Sequence, residues 1–573
     1  MNNDAFLKDQ YTQNLLFILI VAFVVIGTGI GIRDPWPADE PRFVEVAREM
    51  VNSGNWFFPM RGGELYPDKP PVFMWSIAFL YWLTGNLSDT FLIPNFIAGL
   101  ITVLCVFDLG AKLWNVKTGR NAALLLMIAP QFIIQAKAAQ IDMMVACWIT
   151  IGMYGFIRHF FIKPSLNWYI ISWIAMGLGI ITKGVGFLPI LALLPIFYFH
   201  FRKSHDFGEA VSKKLFYGPL AMLVVLILWL LPVLYYAATS DNPDFAAYRD
   251  NILFKQTGER YAKSLGHREP FYYFVLSVIP TLWFPLYLFF ANGKFWRVVK
   301  DSTLIKTLLM WVVLVVIFFS ISPGKRGVYI LPALPMLSLA IAAVMSQIET
   351  PKWFNKILSG IILLLAILFP IVAVVSLFDI EKLAKYVAGN HTQYFFFFIS
   401  ATIIWAVIFW RKRFQQNLYS FALALGLTWV LYSSWGYSLL NPVRTPAKVI
   451  MTKAADIVGQ DGELGLVKFK EQFLLFSPIG LTHFSYLSST EEQYKNAWHW
   501  MSKDNVANQE NKKRYILTHN LEHTICFDTT KAIPLGHAHR RDWFIFDQSA
   551  MLPECGAPKR IVSYHIDGGG LYQ

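Results

Sequence analysis

From its N-terminus to about residue 440 the chain repeats one pattern, long apolar runs separated by short polar connectors. Runs long enough to cross about 30 Å of hydrocarbon occupy 12–32, 91–111, 121–137, 143–161, 167–182, 184–201, 215–238, 271–291, 305–322, 328–346, 357–378, 393–410 and 417–439. They predict a polytopic α-helical membrane protein with about thirteen transmembrane helices. A further apolar piece, 72–84, is too short for length to decide, so loop charge decides it. Basic clusters stand at Lys112, Lys117 and Arg120, at Arg202, Lys203, Lys213 and Lys214, at Lys294, Arg297, Lys300 and Lys306, and at Arg411, Lys412 and Arg413. With a cytoplasmic N-terminus and an odd number of spans, every cluster falls inside; a span at 72–84 would put them all outside, against the positive-inside rule. The 72–84 piece is therefore expected to lie along the interface, within an external loop over about 33–90.

Beyond about residue 441 the apolar runs shorten, and charged residues, Gly and Asn become frequent. "LGLVKF" and "RYILTH" read as strands and "TEEQYKNAWHWMSK" as a helix. The chain thus divides into a transmembrane domain, 1–440, and a soluble α/β domain, 441–573, on the outer side. The first apolar run is longer than a signal-peptide core and lacks a small-residue cleavage site, so it reads as an uncleaved anchor.

Composition agrees. Of 573 residues, 55% are hydrophobic and only 15% charged, against about 25% charged in soluble domains. The net charge of +13 does not point to nucleic acid, because the basic residues lie in short loops where they set topology and meet anionic lipid. Cys105 and Cys147 lie in apolar runs as packing residues. Cys526 and Cys555 lie in the polar region and can pair if that compartment is oxidising.

The polar residues that fall outside are the candidate chemistry. In "PADEPRFVEVAREM" and the residues after it, Pro41 suits a first helical turn, Phe43, Val46, Ala47, Met50 and Val51 recur at helical spacing, and Gly54 marks a stop. Asp39 and Glu40, with Arg42, then sit at the mouth of a helix on the membrane surface. They either cap it or face a substrate. Asp142, in "AAQIDMMVAC", heads a span; it either caps that helix or lines a polar cavity. External cations gather in three segments: Lys69 in "YPDKPPVFMW", Lys255, Arg260 and Arg268 in "FKQTGERYAKSLGHREPF", and Lys325 and Arg326 beside Tyr329 in "SPGKRGVYILP". They bind either lipid headgroups or a lipid-borne phosphate. Asp68 and His267 could share a divalent metal such as zinc or magnesium, although a lone surface histidine is the commoner case.

These motifs, in this order, resemble the membrane glycosyltransferases of the GT-C class, and most of all the lipid A aminoarabinose transferases, relatives of the protein O-mannosyltransferases. The resemblance runs from "PADEPRF" and "YPDKPPVFMW" through Asp142 and "LGIITKGVGFLP" to "SPGKRGVYILPALPML". It implies a GT-C fold, a bacterial inner-membrane location, and transfer of a sugar from undecaprenyl phosphate to a lipid A phosphate at the periplasmic face. By motif, Asp39 and Asp142 match the catalytic aspartates and Arg42 an arginine three residues after the first. Lys69, Arg260 and Tyr329 match the residues that bind the carrier phosphate. Two positions depart: the family's metal-binding glutamate is Asp68 here, and its histidine partner falls on Lys255. The resemblance leaves open whether the sugar is 4-amino-4-deoxy-L-arabinose or another such as galactosamine.

Two rivals remain at this point. A GT-C transferase acting on a protein or other glycan shares these motifs. A lipid-linked sugar transporter would place its polar sites near the bilayer midplane; carboxylates gathered at one face favour an enzyme.

Overall fold

The computed structural model describes residues 3–202, 207–253, 268–380, 387, 389–411, 417–502, 512–568 and 571. The chain forms two compact units. One comprises Met1–Ile32, Pro67–Phe73 and Leu92–Leu439; the other comprises Arg33–Tyr66, Met74–Phe91 and Leu440–Gln573. The break between Leu439 and Leu440 coincides with the change of composition. The first external loop does not follow the expected division. Most of it groups with the C-terminal segment, whose side chains satisfy its buried charges.

Across the described residues nine helices are long and apolar enough to cross a membrane: Lys8–Gly27, Leu87–Leu113, Ile141–Ile162, Gly208–Thr239, Thr303–Ile321, Gly327–Met345, Lys352–Val375, His391–Trp410 and Leu418–Arg444. Of the other expected runs, 167–182 folds whole as Leu166–Lys183, and the remaining three take shorter or interrupted forms for local reasons. The run 121–137 breaks at Pro130 into Val116–Ile128 and Pro130–Ala136. Leu166–Lys183 stops at a left-handed Gly184. The run 184–201 begins as a 3₁₀ turn, Leu188–Ala192, before the helix Leu193–Phe201. The run 271–291 is divided around Pro280 and Pro285 into Phe274–Val278, Ile279–Leu282 and Leu286–Ala291. Each interior proline deletes an N–H donor and clashes with the preceding turn.

The outward face of the first unit is apolar. Lys352–Val375 exposes Leu364, Ile367 and Ile371. Bare aliphatic side chains over such a length are stable in lipid and not in water. The interior closes through small residues. A Cβ on Gly119 would lie 2.3 Å from the Phe107 carbonyl oxygen, so glycine is what lets Val116–Ile128 approach Ile93–Leu113 this closely.

In the second unit the helix Glu40–Ser53 forms as its sequence predicts, with Pro41 in its first turn and Gly54 left-handed at φ 69°. Its apolar side does not lie on a membrane surface. Phe43, Val46, Ala47 and Met50 are buried within the unit, together with Glu45, Arg48 and Glu49. Val72–Thr84, by contrast, leaves Phe79, Trp82 and Leu83 exposed. A hairpin follows Glu40–Ser53: β1 (Met60–Arg61) and β2 (Glu64–Leu65), joined through Gly62 and Gly63. Both glycines have positive φ, 66° and 76°, as a two-residue hairpin turn demands.

The C-terminal segment folds as a six-stranded sheet: β3 (Glu463–Leu466), β4 (Leu481–His483), β5 (Arg514–His519), β6 (Ile533–Ala538), β7 (Arg541–Phe546) and β8 (Tyr564–Ile566). The order across the sheet is β6-β7-β5-β3-β4-β8. Strands β3, β4 and β5 are parallel, and β6, β7 and β8 extend the sheet antiparallel. The expected helix spans Thr490–Ser502. Cys526 and Cys555 are joined by a disulfide.

Candidate active site

In the membrane unit the decisive residue is Asp142. It lies in the first turn of Ile141–Ile157, whose N-cap is Gln140, so its carboxylate is not spent on capping. It is 9% exposed and forms an ion pair with Lys183 Nζ. Lys183 is the last residue of Leu166–Lys183. Its ammonium also lies 4.5 Å from the centre of the Tyr329 ring, within reach of a cation–π attraction. Three segments far apart in sequence therefore converge as carboxylate, ammonium and phenol. Lys183, within "LGIITKGVGFLP", is not among the residues singled out from the sequence; its one signal there is a single charge ending an apolar run.

The turn carrying Tyr329, Gly327–Ala333, is held from below. Gln131 Nε2 donates to the Gly327 carbonyl at 2.7 Å, and Trp283 Nε1 donates to Gln131 Oε1 at 2.6 Å. Lys325 is buried, and its Nζ donates to the Glu269 carbonyl at 2.7 Å. Arg326 precedes the turn as its N-cap residue. Lys69 and Asp68 belong to the same unit and are half-buried. Arg260 and His267 lie outside the described residues, so the phosphate triad and the metal pair are each represented by some of their members. Among the described residues no group of three or more His, Cys, Asp or Glu side chains is gathered for a metal.

In the second unit Asp39 occupies the N-cap position of Glu40–Ser53 but makes no capping hydrogen bond from its side chain. Capping is therefore not its role in this conformation. Glu40 is buried; its carboxylate pairs with Arg33 and accepts the Trp36 N–H at 2.7 Å. It secures its own loop. Arg42 pairs through Nε with Glu471 at 2.7 Å, and Arg61 reaches the same carboxylate at 2.8 Å. Burial opposes the charge on Glu471, yet the Arg61 and Arg42 guanidinium groups together hold its carboxyl below the usual carboxylate range.

The same unit ties the hairpin down with further charged groups. Glu64 accepts from Ser485 Oγ at 2.5 Å and from the Tyr486 N–H at 2.8 Å. Glu49 accepts the Gly62 and Gly63 N–H groups at 2.5 and 2.9 Å. Burial, and next the neighbouring Glu45 charge, push Glu49 up to about 8. His483 donates from Nε2 to the Gly62 carbonyl at 2.5 Å, and burial pushes it down to about 4.

Residues 68–236 match the family model described as dolichyl-phosphate-mannose-protein mannosyltransferase. The undecaprenyl phosphate-alpha-4-amino-4-deoxy-L-arabinose arabinosyl transferase of Serratia proteamaculans is 29% identical over 376 residues, 62% of this chain and 65% of that protein. The enzyme of the same name from Yersinia enterocolitica is 30% identical over 319 residues, 54% of this chain and 55% of that protein. The matched region thus spans between about half and two thirds of these relatives. In three dimensions the chain is similar to the crystal structure of ArnT from Cupriavidus metallidurans bound to undecaprenyl phosphate. The TM-score is 0.70 at 20% identity, covering 95% of this chain and 99% of that one. The fold is therefore the helical GT-C fold.

Proposed function

We propose that this chain is a polyprenyl-phosphate-dependent glycosyltransferase. It moves a sugar, an aminosugar such as 4-amino-4-deoxy-L-arabinose or galactosamine, from undecaprenyl phosphate to a phosphate of lipid A. The observation that carries this reading is the buried Asp142–Lys183 pair beside Tyr329. An ionisable pair at the head of an apolar helix is costly to keep unless it serves a polar substrate.

In the reaction the bond between the anomeric carbon and the undecaprenyl phosphate oxygen breaks. Its electron pair leaves on that phosphate, and an oxygen of the acceptor phosphate forms the new bond. Lys69, Arg260 and Tyr329 balance the charge on the leaving phosphate, the kind of electrostatic stabilisation that is usually the largest catalytic contribution. The acceptor phosphate is already ionised at neutral pH, so no difficult proton has to be removed. Asp39 orients the acceptor or the sugar. Asp142, held in place by Lys183, faces the sugar amine or the positive charge developing at the anomeric carbon. Glu40 and Arg42, beside Asp39, and Lys325 and Arg326, beside Tyr329, are further substrate-binding residues.

The topology that goes with this reading has about thirteen crossings. The nine long helices supply most of them, and the helix Leu166–Lys183 with the interrupted stretches 116–136, 188–201 and 271–291 supplies the rest. The N-terminus is then cytoplasmic, and Asp39, Asp142 and the C-terminal α/β domain are periplasmic at the bacterial inner membrane.

The match of residues 68–236 to protein mannosyltransferases favours a second reading, in which the acceptor is a protein. Mass spectrometry of lipid A and of membrane glycoproteins from cells with and without the gene decides between them. A sugar mass lost from lipid A supports the first reading; loss confined to glycoproteins replaces it with the second.

A further inference from the structure

The parallel part of the soluble sheet has a topological switch. From β3 the chain passes to β4 on one side, and from β5 it continues to β6 and β7 on the other. In open α/β sheets ligands bind outside the carboxyl ends of the strands at such a point. Here that point lies between the ends of β3 and β5.

The residues placed there are basic. Lys468 and Lys470 follow β3, His519 ends β5, and Arg541 begins β7, whose residue Trp543 pairs with His519. Lys468 Nζ donates to the His519 carbonyl at 2.9 Å, and Arg541 Nη1 is 3.4 Å from His519 Nδ1. His539, in the turn before β7, keeps a buried Nε2 that has no hydrogen-bond partner among the described residues. The backbone is strained around this edge: Lys468, Asn520, His539 and Arg540 all have positive φ, between 53° and 66°. Non-glycine residues hold this conformation where the surrounding structure imposes it, often at ligand sites.

The cations are poorly compensated. Among the described residues neither Lys468, Lys470 nor Arg541 forms an ion pair with a carboxylate. Glu471, the acid beside Lys470, is taken by Arg42 and Arg61. Burial and then Arg541 hold Lys470 below the usual ammonium range. Burial, then Lys468, Arg541 and Lys470, push His519 down to about 3; burial and Lys470 push His539 to about 4. Positive groups crowded together gain most from a multiply charged anion, which a phosphate monoester is and a carboxylate is not.

We propose that the carboxyl edge of β3 and β5 is a phosphate-monoester site, with Lys470 and Arg541 as its principal contacts and His539 Nε2 directed to it. It goes beyond the transfer reading and does not rest on it, because it uses none of the residues assigned to the donor.

The test measures binding to the full-length protein in nanodiscs, in a Lys69→Ala background that weakens the proposed donor-phosphate site. Three probes are titrated calorimetrically: inorganic phosphate, dihexanoyl phosphatidic acid as a lipid-borne monoester, and dihexanoyl phosphatidylcholine as a diester control. Phosphate or phosphatidic acid should bind, and Lys470→Gln or Arg541→Gln should each weaken that binding by about tenfold. Lys531→Gln, on an exposed turn elsewhere in the domain, should leave it unchanged. Equal binding of both monoesters means that the site reads the phosphate alone; binding of phosphatidic acid only means that it reads a lipid-presented group. If neither binds, or if Lys470→Gln and Arg541→Gln both bind as well as their parent, the proposal is wrong. Arg541 is exposed, so its variant keeps the fold and the test remains decisive.

Discussion

Replacing Lys183 by Met tests the paired reading of Asp142 most sharply. The two side chains keep only 16% and 11% of their surface exposed. Removing one partner leaves the other charge buried and uncompensated, a change that costs about 3–5 kcal/mol when burial is complete. Residual exposure puts the expectation near the lower end, at about 3 kcal/mol. Asp142→Asn should cost less, because the amide can still accept from the ammonium. The informative construction is the double variant, Lys183→Met with Asp142→Leu, in which both charges go and the volume stays. Well-packed apolar replacements of buried pairs are often neutral or better, so this variant should recover most of the lost stability while remaining inactive. Unfolding in mixed micelles, followed by near-UV circular dichroism, gives the coupling energy from the double-mutant cycle. A coupling below about 0.5 kcal/mol would mean that the two groups do not depend on one another, and the polar cluster would lose its basis.

Other expectations follow from the same structure. His483, His519 and His539 are held neutral in the fold, at about 4, 3 and 4. Depressed folded values give stability that is present above about 6.5 and is lost as pH falls towards these values. Glu49 is raised to about 8, so its contribution is present below about 4.3 and lost as pH rises through 8. The unfolding temperature should therefore fall on both sides, and His483→Gln should flatten the acid limb; an acid limb unchanged in His483→Gln would refute that assignment. Gly119→Ala should destabilise by about 1–3 kcal/mol, read in the same unfolding assay, while Ala at Gly360, where nothing lies within 4 Å, should not. The Cys526–Cys555 bridge closes a separation of 29 residues, so replacing both by Ser should cost about 3–4 kcal/mol, visible as earlier proteolysis of the C-terminal domain.

Much of this architecture was legible because local chemistry dictates it. Gly54 ends its helix in the left-handed conformation that the sequence anticipates. "RYILTH" and "TEEQYKNAWHWMSK" fold as the strand and helix that their patterns predict. What escaped depended on partners distant in sequence. Asp142 and Lys183 are 41 residues apart, and Arg42 and Glu471 are 429 apart; no periodicity encodes such pairs. The same partners explain why the first loop groups with the C-terminal segment rather than with the membrane unit. The breaks within 271–291 were not legible, because hydropathy averages over Pro280 and Pro285, whereas the backbone cannot. The sequence leaves Asp39 open between cap and substrate-facing residue, because whether an N-cap side chain bonds its own helix depends on backbone geometry that no spacing encodes; here it makes no capping bond.

The central claim is transfer from a lipid phosphate, and a reconstituted reaction tests it most directly. Purified protein in nanodiscs is supplied with undecaprenyl phosphate-linked 4-amino-4-deoxy-L-arabinose and, separately, with the galactosamine donor, together with phosphorylated lipid A. Acceptor mass and released undecaprenyl phosphate are followed together. The account predicts that one donor adds a single sugar mass to lipid A with equimolar release of carrier, and that Asp39→Asn and Asp142→Asn each abolish both signals in folded protein. Carrier released without any mass gained by lipid A, or activity near that of the parent in both variants, would contradict it.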